Sequence, residues 1–190
     1  TFRTSLSRFA GREISDQELT QAIQLHNQNR AKVKELYELR KASPPLISGA
    51  EIARILVAAM GIPIEESIEM ISGVIEEVKQ RGGVPAKKPA RIMVVGAQVD
   101  NIAFIDLIED SGAWVVADDL CPGAREFFSY VDATDDPMDG IAERYLRKIK
   151  CGRTYREMKG NYQEYLEDRF GHMSQMIEDF DVDGVVLYIY

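Results

Sequence analysis

The apolar positions of this chain follow two patterns. Up to about residue 88 they recur at helical spacing; beyond it they gather into short unbroken runs separated by helical stretches. In the first part, Leu19, Ile23, Leu25, Val33, Leu36, Tyr37 and Leu39 predict one amphipathic helix. Ser15 and Glu18 have the spacing of a capping box, in which hydroxyl and carboxylate close the orphan N–H groups of a helix start. Ser43-Pro44-Pro45 ends that helix, because proline lacks an N–H and disfavours a helical residue before it. Ser48 and Glu51 repeat the capping pattern, Ile52, Ile55, Leu56 and Ala59 supply a stripe, and Gly61 a stop. Pro63 suits the first turn of a third helix, whose stripe is Ile64, Ile68, Ile71, Val74, Ile75 and Val78. Arg81-Gly82-Gly83 through Lys87-Lys88-Pro89 reads as a linker.

After the linker, Ile92-Met93-Val94-Val95 is a short apolar run ending at Gly96, the mark of a buried parallel strand. A helix is expected from Ile102 to Glu109, closed by Ser111-Gly112. A second strand follows at Trp114-Val115-Val116-Ala117. Helices are expected from about Met138 to Arg147 and from about Gly160 to Phe180. Asp183-Gly184 then precedes a last strand, Val185 to Tyr190. Strands alternating with helices predict an α/β fold with a right-handed, mostly parallel, Rossmann-like sheet. The expected division is a helical segment, 1–88, and an α/β domain, 89–190. Because the chain opens at Thr1 and closes inside a β-branched run, we expect it to be a piece of a longer polypeptide, cut within its C-terminal strand.

Charge narrows the functional classes. The 190 residues hold 23 Lys+Arg against 31 Asp+Glu, a net charge of −8, which argues against a nucleic-acid partner. No apolar run approaches the roughly 20 residues that span a bilayer. Two cysteines do not make a disulfide framework, and no secretory leader pattern is present, so a reducing cytoplasm is the expected compartment.

Ligands of open α/β sheets gather beyond the carboxyl ends of the strands. One such loop is Gly96-Ala97-Gln98-Val99-Asp100-Asn101, where glycine permits close backbone approach and a helix start could hold an anion. The second and third glycines of a dinucleotide fingerprint are missing, and Asp100 or Asn101 would serve equally as a plain N-cap. The other loop is Asp118-Asp119-Leu120-Cys121-Pro122-Gly123-Ala124-Arg125. There a nearby cation and exposed amides favour the thiolate, the form that ligates iron or acts as nucleophile, although a free cysteine can also be a small buried hydrophobe. Asp118 and Asp119 suit caps, turns, or binding to a ligand hydroxyl. Cys151 has no CxxC companion and reads as a core or surface thiol. His26 and His172 lack a second histidine at metal spacing and read as solvated or capping residues. Asp135-Asp136 and Glu164/Asp168 read as turn and surface carboxylates, and Tyr155, Tyr162 and Tyr165 as an aromatic packing patch.

Several stretches resemble the D-component family of 2-hydroxyacyl-CoA dehydratases, which includes subunits of benzoyl-CoA reductase. Ile14-Ser15-Asp16 through His26-Asn27-Gln28-Asn29-Arg30 is similar to that family's first helix, and Ser43-Pro44-Pro45 through Ser48-Gly49-Ala50-Glu51 to its following link. Arg91-Ile92 to Gly96, with Ser111-Gly112 to Arg125, resembles its "S-G-…-V-V-…-D-D-L-C-…-G-…-R" core. Ile141 to Leu146 resembles "A-E-R-Y-L", and Val182-Asp183-Gly184-Val185-Val186 resembles "V-D-G-V-I".

The resemblance implies an iron–sulfur subunit. In it three cysteines would hold a 4Fe–4S cluster, and an ATP-dependent iron–sulfur activator protein would deliver a low-potential electron. A homologous second subunit would complete the enzyme. An acyl-CoA thioester would be reduced, either to a ketyl radical anion that expels its 2-hydroxyl group or, in the benzoyl-CoA branch, in its aromatic ring. Cys121 matches a cluster ligand, with Asp118, Asp119 and Arg125 as candidate substrate-binding residues beside it. Cys151 is not assigned, because Gly152 stands where the family often has proline. The other ligands are expected outside residues 1–190, so this stretch by itself is expected to carry no cluster and no activity. The competing expectation is a non-catalytic α/β domain that binds a small molecule or serves in assembly.

Overall fold

The computed structural model describes residues 2–82, 88–99, 101–155 and 157–189. Four helices come first: α1 (Phe2–Ala10), α2 (Asp16–Glu38), α3 (Gly49–Met60) and α4 (Ile64–Arg81). Both capping boxes form. Ser15 and Ser48 each accept from the backbone N–H of Glu18 and Glu51, whose carboxylates accept from the serine N–H in return. Pro63 is the cap before α4 rather than a residue of its first turn; its ψ of 148° is extended, not helical. The linker residues 83–87 lie outside the described residues.

Three strands follow, β1 (Ala90–Val95), β2 (Ala113–Asp119) and β3 (Gly184–Leu187), with α5 (Ile102–Asp110) between the first two. The last strand thus ends at Leu187, and Tyr190 lies outside the described residues. The connection from β2 to β3 carries α6 (Ala124–Phe127), α7 (Pro137–Glu143), a π-helical turn (Arg144–Lys148) and α8 (Tyr162–Asp179). The expected helix to Arg147 therefore widens into the π turn after Glu143, where Ile149 N–H reaches back to Arg144 O. The short α6 has too few residues for a periodicity to show, whereas Phe2, Leu6 and Phe9 of α1 do recur at helical spacing, a signal absent from the elements expected above.

The sheet is parallel, in the order β2-β1-β3. One face presents Val94 and Val115 to Ala50 of α3 and Ile105 of α5. The opposite face presents Met93, Val95, Trp114 and Val116 to Val33, Leu36 and Tyr37 of α2, with Met176 and Phe180 at the end of α8. Residues of α3 and α4 join that second cluster, so the early helices and the sheet share one apolar interior. Two buried polar side chains pin the layers. Glu109 of α5 accepts from the N–H groups of Gly49, Ala50 and Val115, anchoring the positive end of α3 to the sheet. Arg91 of β1 donates to the carbonyls of Arg40, Ala42, Phe180 and Asp181, tying the segment after α2 to the end of α8. Among the described residues no helix is long and apolar enough to cross a membrane.

With β1 in the middle, the chain leaves it towards β2 and later returns to its other side as β3. The carboxyl ends of β1 and β3 thus form a switch point, where open α/β sheets take ligands.

Candidate functional site

The loops after β1 and β2 are joined by their backbones. Gly96 N–H donates to Asp119 O at 3.3 Å, and Cys121 N–H to Ala97 O at 3.0 Å. On the other side Tyr188 N–H donates to Val95 O at 2.8 Å. A Cβ on Gly96 would lie 2.9 Å from Tyr188 O, so the approach of the β3 end requires glycine there. Asp100 lies outside the described residues; Asn101 is the N-cap of α5, accepting from Ala103 N–H. The main chain thus holds Cys121 at the carboxyl rim of the sheet with its side chain exposed.

Asp118 and Asp119 are the last residues of β2, not the first of the loop, and both are buried. They point to different partners. Asp118 Oδ2 accepts from Tyr37 Oη at 2.8 Å and Arg40 Nη2 at 3.1 Å, while Oδ1 accepts from Ala124 N–H at 3.0 Å. Burial, and then the neighbouring Asp118 charge, push the Tyr37 hydroxyl well above its ordinary pKa, so it donates at any working pH. Gly123 packs against the same carboxylate: a Cβ there would fall 1.9 Å from Asp118 Oδ1.

Asp119 faces Arg125 in a bidentate pair, Nε to Oδ1 at 2.9 Å and Nη2 to Oδ2 at 2.7 Å. His172 Nε2 of α8 lies 3.5 Å from Asp119 Oδ1. Burial acts to raise the Asp119 pKa, but His172 and Arg125 outweigh it and hold the carboxyl below the usual range. The free edge of Arg125 turns to the thiol, with Nη1 3.5 Å from Cys121 Sγ. Of the four residues singled out at this loop, the structure therefore joins Cys121, Arg125 and Asp119, and turns Asp118 towards α2.

Cys121 opens onto a cavity of about 650 Å³, whose other walls include His26 and Asn29 of α2, Met60 of α3, Gln98, and Glu126 of α6. A smaller cavity, about 300 Å³, lies across the Asp119–Arg125 pair and is lined also by His172, Lys41, Lys148 and Lys150. His26 is exposed on the rim, as its solvated reading expects, yet it faces the thiol's cavity; no local sequence signal marks it, because only the register of α2 brings it there. Burial, then the nearby Arg30 charge, lower its pKa and keep the imidazole neutral near pH 7. His172 is half-buried against Asp119 rather than solvated. Cys151 is a free, half-buried thiol. Tyr162 and Tyr165 stack with centroids 6.4 Å apart, but Tyr155 and Tyr162 are 86% and 66% exposed, so this patch is a surface feature and not core packing. Among the described residues no three His, Cys, Asp or Glu side chains gather closely enough to hold a metal ion.

Comparison with known proteins gives this geometry a family context. The chain is 31% identical over 189 residues to the "Putative dehydratase subunit YjiM" of Escherichia coli, covering 97% of this chain and 46% of that protein. It is 24% identical over 188 residues to a subunit of the benzoyl-CoA reductase of Thauera aromatica, and 21% over 184 to the (R)-phenyllactyl-CoA dehydratase beta subunit of Clostridium sporogenes. Each of these alignments likewise takes in 97% of this chain and 46% of the relative. The chain spans about half the length of the curated relatives it matches. The family model for the 2-hydroxyglutaryl-CoA dehydratase D-component matches residues 1–190, and the chain belongs to that family.

Proposed function

We propose that this chain is part of an iron–sulfur subunit of a 2-hydroxyacyl-CoA dehydratase or benzoyl-CoA reductase-type enzyme, and that Cys121 is one of its cluster ligands. The observation that carries this reading is the placement of Cys121: exposed, at the carboxyl rim of a parallel sheet, opening onto a cavity of about 650 Å³. A buried sulfur would have argued for a packing role. The donor set fits the cluster in part, since one accessible thiol is offered here and the remaining ligands would come from outside these residues. When bound, the cluster would supply low-potential electrons for reduction of an acyl-CoA thioester or its aromatic ring, received from an ATP-dependent iron–sulfur activator protein. A homologous second subunit would complete the enzyme, in the cytoplasm.

The chain's own residues have definable parts in this scheme. The bonds from Cys121 N–H to Ala97 O and from Gly96 N–H to Asp119 O hold the backbone that carries the thiol at the sheet rim. Asp119 holds Arg125 so that a positive charge stands beside the sulfur. His26, neutral near pH 7, offers both a proton donor and an acceptor on the wall of the cavity that the thiol also lines.

The test is Cys121→Ala in the full-length protein, expressed and purified without oxygen, with iron and acid-labile sulfide measured against the parent. Loss of most of the iron supports the assignment. Unchanged iron content removes Cys121 as a ligand and favours a non-redox small-molecule-binding or assembly role for the same cavity.

A further inference from the structure

Charge is unevenly spread along this acidic chain. Residues 144–159 hold seven Lys/Arg and one Glu, whereas the other 174 residues hold 16 Lys+Arg against 30 Asp+Glu. Arg144 is buried on Glu126, and Arg147, Lys148 and Lys150 pair with Glu143, Asp132 and Asp168. Arg153 and Lys159 are exposed, and among the described residues no carboxylate lies within ion-pair distance of either.

Apolar side chains crowd the same segment. Tyr145, Leu146, Tyr155 and Met158 are between 57% and 86% exposed. The backbone beneath them is anchored. Arg169 of α8 donates to the carbonyls of Gly152 and Thr154, and a Cβ on Gly152 would fall 2.7 Å from the Phe170 ring. Tyrosine, methionine and arginine on one exposed surface are the residues enriched at the centres of protein–protein contacts.

The complementary surface lies on the same chain. Ser67, Ile71, Ile75 and Val78 of α4 are buried, and its outer face carries Glu65, Glu66, Glu69, Glu76 and Glu77, all exposed. Glu65 and Glu66 suit the positive end of the helix, but Glu69 and Glu77 have no such role, and among the described residues no cation is within ion-pair distance of them. Between them stands Gly73, exposed, where a Cβ would meet nothing within 4 Å. The packing of this chain therefore gives no reason for a glycine there, although it costs the helix about 1 kcal/mol against alanine. It leaves a notch in the acidic face, flanked one turn away on either side by Glu69, Glu76 and Glu77.

We infer that residues 145–159 dock on the outer face of α4 in a second copy of this chain, with Arg153 and Lys159 against its glutamates and Tyr155 in the Gly73 notch. Charge complementarity selects this occupant: the acidic remainder of the chain repels a polyanion such as nucleic acid but offers the basic segment of another copy its counter-charge. The inference requires no iron and is independent of the Cys121 assignment.

The experiment is sedimentation velocity of the full-length protein in low and high sodium chloride. Self-association is expected in low salt, weakening about tenfold or more in high salt as the exposed charges are screened. A discrete dimer marks a closed two-fold arrangement and a concentration-dependent series an open one, and either supports the inference. Arg153→Glu with Lys159→Glu should abolish association, as should Glu69→Lys with Glu77→Lys. Mixing the two double variants should restore it, because each reversed surface meets its reversed counterpart. Gly73→Leu guards against loss of folding: it should raise the melting temperature, since glycine is poor inside a helix, yet weaken association about tenfold. A parent that stays monomeric in both salts overturns the inference, as does association that survives either reversal or Gly73→Leu, or that mixing fails to restore. Binding to phosphatidylserine vesicles without self-association would assign the surface to a lipid and overturn it too.

Discussion

Asp118 shows how much one side chain organises here. It joins Tyr37, Arg40 and the backbone of Ala124, and so couples α2 to the turn that carries Cys121. Asp118→Ala would strand the Arg40 guanidinium, which is only 1% exposed, and is expected to cost about 3–5 kcal/mol in urea unfolding. Tyr37→Phe removes only one donor to the same carboxylate and should cost about 1 kcal/mol. His26 provides a pH signature. Its folded pKa is depressed, so the unfolded chain binds the proton more readily. Folding stability should therefore fall as pH drops from about 6.5, the ordinary imidazole value, towards the folded pKa. His26→Gln should flatten that slope in denaturant melts taken between about pH 7 and 5.

At the scale of elements, Arg91 is the fastener. Its guanidinium closes the ends of two helical segments that are far apart in sequence. Arg91→Ala should lower stability by about 3 kcal/mol, through several buried carbonyls left without donors. Amide exchange at the end of α8 and in β3 should accelerate more than in α3, which Glu109 holds independently. The apolar runs at Ile92–Val95 and Trp114–Ala117, and both capping boxes, were legible because their signals are local. The strand identity of Asp118 and Asp119 was not. Two carboxylates break an apolar run, and the cation that neutralises Asp118 lies 78 residues earlier. Four residues of α6 are too few for a periodicity to show. The cavity shared by His26, Asn29, Met60, Gln98 and Cys121 escaped for a related reason: its walls come from segments far apart in the chain, and only the packed fold brings them together.

For the whole molecule, parallel strands alternating with helices emerge as expected, in an order that puts the carboxyl ends of β1 and β3 side by side. The chain offers one accessible thiol at that rim and no three-residue metal cluster among the described residues. Anaerobic reconstitution of residues 1–190 with iron and sulfide should accordingly yield well under one cluster per chain, read by iron analysis and by absorbance in the visible. Stoichiometric iron on this stretch alone would show that a single chain of this length completes the ligand set, and would require a second thiol, Cys151 being the available one, to take part.

The backbone tethers at the sheet rim bear on how any such result is interpreted. The groups that station residue 121 are amides and carbonyls, which every amino acid but proline supplies in full. Exchanging the thiol for hydrogen (alanine) or hydroxyl (serine) leaves these backbone bonds in place, so a change in metal content can be ascribed to the lost sulfur rather than to a displaced loop.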